Sequence, residues 1–456
     1  MNEASIETTL ELWASELREV KARIRPLFTQ ERVAASAGLF LEVLLGSKRR
    51  NTGRMRAEAA GDPGPWRQQA FLNRHRWEAD ALRDLVRDYA LETLADAGAV
   101  LMIEEAGFLK QGRSSCGVAR QHTEPAGRVA NCQVGVFLAY ESRHGHAFID
   151  RALYLPKSWT DDPACLAAAH VPPETGFATK PQLALRMIER ATAAGVPFAW
   201  VAADSPYGAA ALETALRRAG KGYVLGVSAA SQFSSRSGKP EVAGTAEAIA
   251  QGLDPSAWRR LPAEGGRGAR LYDWAYVELA DLKPEQFGGN SPGLWTRGLL
   301  IRRGVADGGR AFFTTWCPAG TGIEALVAVE ERRRTVRDSL EAAKAELGLD
   351  HNGTRSWHGW HRHVSLVMLA FAVVATVHHH ANQLTPKAPR TARRRSPSSA
   401  GRSAEAVALA RALHSDASGP HTPSPAGACR LERKPPSSRP QAEWPASGAT
   451  DSRGHD

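Results

Sequence analysis

The stretch LMIEEAGFLKQG, Leu101–Gly112, decides how this chain folds. With Ala99 and Val100 before it, the run is apolar as far as Ile103 and then places two carboxylates, Glu104 and Glu105, side by side. An apolar run of this length bounded by charge predicts a buried strand over Val100–Ile103. A carboxylate at the end of such a strand loses hydration, and a cation or hydrogen bonds must offset that cost. Alternation along a strand sends Glu104 and Glu105 to opposite faces.

Outward from this strand the texture is mixed. Residues 132–140 and 147–154 read as two further strands, with Gly127 and His144-Gly145 at turn positions, and no helix intervenes. Three strands in a row predict an antiparallel meander. Beyond it, helices over Lys180–Ala194 and Tyr207–Arg218 alternate with strands over Phe198–Ala203 and Tyr223–Val227. The pattern is that of an α/β fold with a mixed central sheet. Residues 6–100 read as helical. Residues 228–297 are rich in glycine and charge, with strands expected around Leu271–Glu278 and Leu299–Arg302. Long helices are expected over Glu324–Leu347 and His358–His379. The expected organisation is a helical domain over 1–98 and a core beginning at 99–227. A β-rich insertion over 228–322, helices over 323–384 that complete the core, and a tail over 385–456 follow.

The 456 residues carry a formal charge of +10, with a pI near 9.6, which favours polyanionic partners. Twelve Lys/Arg against six Asp/Glu fall after residue 385, so the tail supplies +6 of that excess. That tail, rich in Pro, Ser, Ala and Arg, lacks the apolar residues to order itself and reads as disordered. The five cysteines are dispersed with no CxxC pair, which argues against a disulfide framework or structural zinc and suits a reducing cytoplasm. The polar, acidic N-terminus does not read as a signal peptide. The longest apolar run, Val364–Val377, is short for a membrane span and reads as a buried helix, so no membrane partner is expected.

Two strand ends match. One closes at Ile103-Glu104 and another at Ala203-Asp204, and neighbouring strand ends of a mixed sheet meet at one edge, where ligands bind. Paired carboxylates there repel unless a divalent cation lies between them, and oxygen ligands suit Mg2+ or Mn2+. Two such ions activate a water or hydroxyl and stabilise the leaving oxygen at a phosphodiester. Upstream, Lys48-Arg49-Arg50 and Arg74-His75-Arg76 are either solvated helix faces or phosphate contacts to DNA. The histidines at 358, 361, 363 and 378–380 have no recognised metal spacing.

Several segments together resemble the insertion-sequence transposases of the DDE superfamily, known from bacteria. They are Ile103–Gly112, Gly117–Gln121, Asn131–Val136, Arg151–Trp159, Asp204–Gly208, Gly348–Asp350 and Arg355–Trp357, in that order, with Ala57–Gly61 and Phe71–Asn73 upstream. The resemblance covers roughly residues 30–380. It implies an RNase-H-like catalytic core with a β-rich insertion and a helical N-terminal domain for transposon ends. It also implies magnesium-dependent cleavage and strand transfer on double-stranded DNA, at terminal inverted repeats and target, by a protein that can pair as a homodimer. Carried over by position, the first two catalytic, metal-binding acids fall on Glu104 and Asp204. Lys344 matches the family's helix lysine, a DNA contact, with Lys110 and Arg120 as further backbone contacts.

The chain departs from that pattern. Glu104 stands where the family has Asp, and its extra methylene moves the carboxylate by about an ångström, enough to cost around a hundredfold in rate. The family's third acid lies seven residues before the lysine, and that position is Arg337, which donates and never ligates a cation. Asp338, rotated by about 100°, and Glu341, about 6 Å further along, are the nearest surrogates. Arg337 has its own local partner in Glu341 at i,i+4. Two readings stay open: a transposase-like enzyme impaired in cleavage, or a non-catalytic DNA-binding derivative acting as a repressor.

Overall fold

The computed structural model describes residues 3–46, 57, 64, 66–123, 127–205, 207–236, 238–262, 271–283 and 293–384, all within one unit spanning Met1–Ala417. Lys48, Arg49, Arg50 and the tail over 385–456 lie outside the described residues.

Strand β1, Val100–Leu109, is the axis of the sheet. On one side it pairs antiparallel with β3, Arg128–Ser142, through ten residue pairs from Val100↔Glu141 to Leu109↔Cys132. On the other it runs parallel to β5, Trp200–Ala203, which in turn runs parallel to β6, Gly222–Val227. The far edge of β3 carries β2, Ala119–Thr123, on its first half and β4, Gly145–Tyr154, on its second. The order β4-β3-β1-β5-β6 is the expected meander followed by helix-linked parallel strands. The links are helix α5, Lys180–Ala193, started by a Thr179/Gln182 capping box, and α6, Ala210–Arg218.

The residues read as an insertion do not make a separate sheet. Strand β12, Arg310–Pro318, pairs antiparallel with β6, and β11, Trp295–Gly304, β10, Leu271–Leu282, and β9, Arg259–Pro262, follow outward. They bring the whole to ten strands. The outer edge of β6 offers unpaired backbone groups, and β12 satisfies them. A small ladder of β7, Gln232–Ser234, and β8, Ala243–Thr245, leads into α7, Ala246–Gly252, over a minor core of Phe233, Ile249, Leu279 and Phe312.

Two long helices close the core. In α8, Ile323–Leu347, a 3-4 spaced stripe of Leu326, Val329, Val336, Leu340, Ala343 and Leu347 is buried, and Gly348 at φ 66 ends the helix in the left-handed region. Helix α9, Trp357–Leu384, is longer than the apolar run suggested. It has the length and apolarity to cross a membrane, yet Trp360 and Val364 to Val374, save Ser365, are core residues of this body. The N-terminal helices α1, Glu3–Ile24, α2, Glu31–Leu45, α3, Trp66–Asn73, and α4, Ala79–Leu94, pack in the same core as α9 and the sheet. Arg362 of α9 donates to the carbonyls of Leu72 at 2.9 Å and Trp77 at 2.6 Å. Those bonds hold the turn between α3 and α4 to the helix that crosses the core.

Candidate active site: a carboxylate pair held by two arginines

The parallel ladder between β1 and β5 ends at Ile103↔Ala203, so Glu104 and Asp204 are the next residues on neighbouring strands. Their meeting at one edge, expected from sequence, is what the backbone delivers. Strand β1 itself does not stop there. It continues to Leu109 because β3 stays paired with it, so Glu104 and Glu105 sit mid-strand. Gly226 on β6 secures the turn after Asp204. A Cβ at that glycine would stand 2.3 Å from Ser205 N and 2.5 Å from Asp204 C, so only glycine lets β6 pass this close.

Both carboxylates point at α8. One atom, Arg333 Nη2, lies 3.1 Å from Glu104 Oε1 and 2.8 Å from Asp204 Oδ2. The two carboxylates therefore share one face of the sheet. Arg333 Nε also donates to Glu104 Oε1 at 3.2 Å, and Nη1 lies 3.4 Å from Glu330 Oε1. Further out, Arg337 Nη2 lies 3.2 Å from Asp204 Oδ2 and 3.9 Å from Glu104 Oε2. Glu104 and Arg333 are buried, whereas the side chains of Arg337 and Asp204 are 42% and 48% exposed. Burial disfavours ionised Asp204, but the Arg333 charge and hydrogen bond, the Ser205 N–H and Arg337 outweigh it. They hold its carboxyl below the usual carboxylate range. Burial likewise opposes the Arg333 charge, and Glu104, Asp204 and Glu330 raise its pKa regardless.

Glu105 faces the other way, as alternation requires. It is ion-paired with Lys180 at the start of α5 and accepts from Tyr207 Oη at 2.9 Å. Arg337 does not pair with Glu341: it reaches across to the strand ends, and Glu341 pairs with Lys344 at 2.7 Å. Asp338 is exposed beside Arg334 and Arg337, and burial nudges its carboxyl upward against their charges. No ion pair or hydrogen bond shown among the described residues ties Asp338 or Glu341 to the Glu104–Asp204 cluster. Of the remaining basic residues, Arg74, Arg76 and Arg120 are exposed. Lys110 instead donates to Asn352 O at 2.7 Å, and burial lowers its pKa.

Sequence reasoning missed Arg333. The signal was present: Leu326, Val329, Arg333, Val336 and Leu340 form one 3-4 stripe, so an arginine stands on a face that is otherwise buried. A buried guanidinium demands carboxylates. Of the three acid positions that the resemblance implies, Glu104 and Asp204 meet here and Arg337 stands at the third. As they stand, these residues do not fit a divalent ion, because Arg333 and Arg337 set donors against the two carboxylates, where a cation needs oxygen ligands. Among the described residues, no group of three or more His, Cys, Asp or Glu side chains is arranged to hold a metal.

A carboxylate pair where the central parallel ladder ends, crossed by a long helix, defines an RNase-H-like core. Comparison with known families carries this further. Residues 24–261, just over half of the chain, match the family described as DDE superfamily endonuclease, and the chain belongs to that family. Endonucleases of this family generally use divalent metal ions. Among solved structures, a piggyBac transposase synaptic complex with hairpin DNA is similar at a TM-score of 0.41 and 10% identity. That alignment covers 86% of this chain and 74% of the other. No curated protein matches.

Proposed function

We propose that this chain is a transposase-like DNA-binding protein whose metal-dependent strand cleavage is lost, and which occupies transposon ends without cutting them. The observation that carries the reading is Arg337, 3.2 Å from Asp204 Oδ2 at the helix position where the family resemblance calls for a carboxylate. A cleavage site of this class needs carboxylates to hold Mg2+ or Mn2+ against a phosphodiester. Here the two remaining carboxylates are committed to permanently charged guanidiniums. The fold that presents them is intact, and the exposed Arg74, Arg76 and Arg120 supply charge for phosphate contacts. A protein of this description represses its active relatives by competing for their terminal repeats.

The test uses the full chain with a duplex carrying candidate ends. In Mg2+ or Mn2+, native protein is expected to bind the duplex with steep salt dependence and to leave it uncut. The double substitution Glu104→Asp with Arg337→Glu is expected to gain nicking that vanishes on adding Asp204→Ala. Nicking by native protein that Asp204→Ala abolishes would overturn the loss of cleavage. DNA binding that is absent or indifferent to salt would overturn the DNA-binding half.

A further inference from the structure

A cavity of about 280 Å³ lies at the β4 edge of the sheet and shares no lining residue with the carboxylate pair. Four guanidiniums line it: Arg83 from α4, Arg151 from β4, and Arg186 and Arg190 from α5. The carboxylates in its wall are Asp80 and Glu174. Asp80 binds Arg151 at 2.9 Å, and buried Asp150, outside the lining, takes up Arg190 at 2.9 Å. Arg83 is taken up by Asp84, also outside the lining, at 3.0 Å, so three of the four guanidiniums have carboxylate partners. Arg186 is the fourth. It is exposed, and among the described residues it makes no hydrogen bond or ion pair.

The rest of the lining suits a ring. Trp357 at the start of α9 lies against His361, ring centroids 4.2 Å apart, and Trp357 remains partly exposed. His361 adds no charge: burial first, then the Arg151 charge, pushes its pKa down to about 3. Its Nδ1 lies 3.0 Å from Trp357 O, which makes Nδ1 the donor and leaves Nε2 as an acceptor. Two of the segments on which the family resemblance rests, Arg151–Trp159 and Arg355–Trp357, contribute Arg151, Ala152, Leu153, Leu155 and Trp357 to this cavity and nothing to the carboxylate pair.

We infer that this cavity binds a single nucleotide through its terminal phosphate, with Arg186 and Arg190 on the phosphate and Trp357 against the base or sugar. Guanidinium pairs recognise phosphate oxygens through planar, charge-assisted hydrogen bonds. An aromatic face accepts any base without reading its sequence. The volume is at the small end of ligand sites, which suits one nucleotide and excludes a length of strand. The phosphate has two sources, a free mononucleotide or the 5′-phosphorylated end of a DNA strand. This inference does not rest on the loss of cleavage, and either survives failure of the other.

Calorimetry on the full chain with dAMP, deoxyadenosine and inorganic phosphate tests it. Binding of dAMP is expected, weaker binding of phosphate, and none of deoxyadenosine. Arg186→Ala should weaken dAMP about tenfold at an unchanged unfolding temperature, the loss of one charge-assisted contact. Trp357→Leu should weaken dAMP and leave phosphate unaffected. Comparing duplexes with 5′-phosphate and 5′-hydroxyl ends separates the sources. An Arg186-dependent preference for the phosphorylated duplex identifies a DNA end, and equal binding identifies the free nucleotide. Absence of any heat from millimolar dAMP, or equal affinity in native and Arg186→Ala protein, overturns the proposal.

Discussion

Glu104 and Glu141 face the same helix from neighbouring strands, about 13 Å apart along the sheet, and meet opposite electrostatic surroundings. The register Val100↔Glu141 and Glu104↔Phe137, with strict alternation, sets both carboxyls on the α8 side. Both are buried, at 6% and 9% exposure. Glu104 has Arg333 at 3.1 Å. Glu141 Oε2 has no hydrogen-bond partner among the described residues, and burial, only partly opposed by the Arg332 charge, pushes its carboxyl up to about 7. One helix thus serves two buried acids differently, by which arginine it turns toward each. A carboxyl that meets a buried guanidinium is fixed as an anion. One that does not is held near neutrality between acid and anion.

The sharpest way to break this contrast is to remove the cation from the first acid. Arg333→Leu takes from buried Glu104 its nearest guanidinium, while Glu330 keeps Arg302 at 3.0 Å. Removing one partner of a buried ion cluster costs about 3–5 kcal/mol. Urea unfolding should show that loss. Lys180→Ala, on the more exposed Glu105 side, should cost no more than about 1 kcal/mol. If both substitutions cost the same, the Glu104 cluster is no more buried in its energetics than the Glu105 pair, and the comparison fails.

The second acid gives a pH-dependent effect of nearly the same size. A carboxyl with a folded pKa of about 7, above its ordinary 4.5, binds its proton more tightly in the fold. Its stabilising contribution is full below the ordinary value and is lost as pH rises through 7. Glu141→Gln mimics the protonated form, so near pH 8 it should be more stable than native protein by up to about 3 kcal/mol. The advantage should fade as the pH is lowered toward 4.5. An advantage equal at both ends of that window would mean Glu141 does not titrate within it.

How much of this was legible in the sequence follows from what each residue could signal alone. Apolar runs with turn residues between them marked β3, β4, β5 and β6 to within four residues, and the first part of β1, because strands buried on both faces read as continuous apolar stretches. Glu104 and Asp204 were paired correctly because each directly follows such a run. Strands β2 and β12 passed unseen. ARQHT and RAFFTTWCP carry no turn residues or alternation strong enough to separate them from loop, and it is β3 and β6 that make them strands. The partner of Arg337 was misjudged for a similar reason. Spacing along a helix offers only its own neighbours, such as Glu341, whereas the carboxylate it meets is 133 residues away in sequence.

The smallest effect bears most directly on function. Arg337 and Asp204 are both near half exposed, so their pair is partly screened, and Arg337→Ala should cost at most about 1 kcal/mol near neutral pH. Asp204 keeps a carboxyl below its ordinary 3.8, so the stability it contributes is full above that value and is lost as pH falls through its folded pKa. Without Arg337 the folded pKa moves back up, and the acid-side loss begins at a higher pH. Unfolding measured from neutral to strongly acidic solution should show Arg337→Ala and native protein nearly equal at the neutral end and diverging on the acid side. Such a result makes Arg337 dispensable to the scaffold, unlike Arg333 one helical turn before it, so that a carboxylate at position 337 is compatible with the fold. If instead Arg337→Ala is as damaging as Arg333→Leu, the outer arginine is part of the framework, and substituting it by Glu cannot restore a cleavage site.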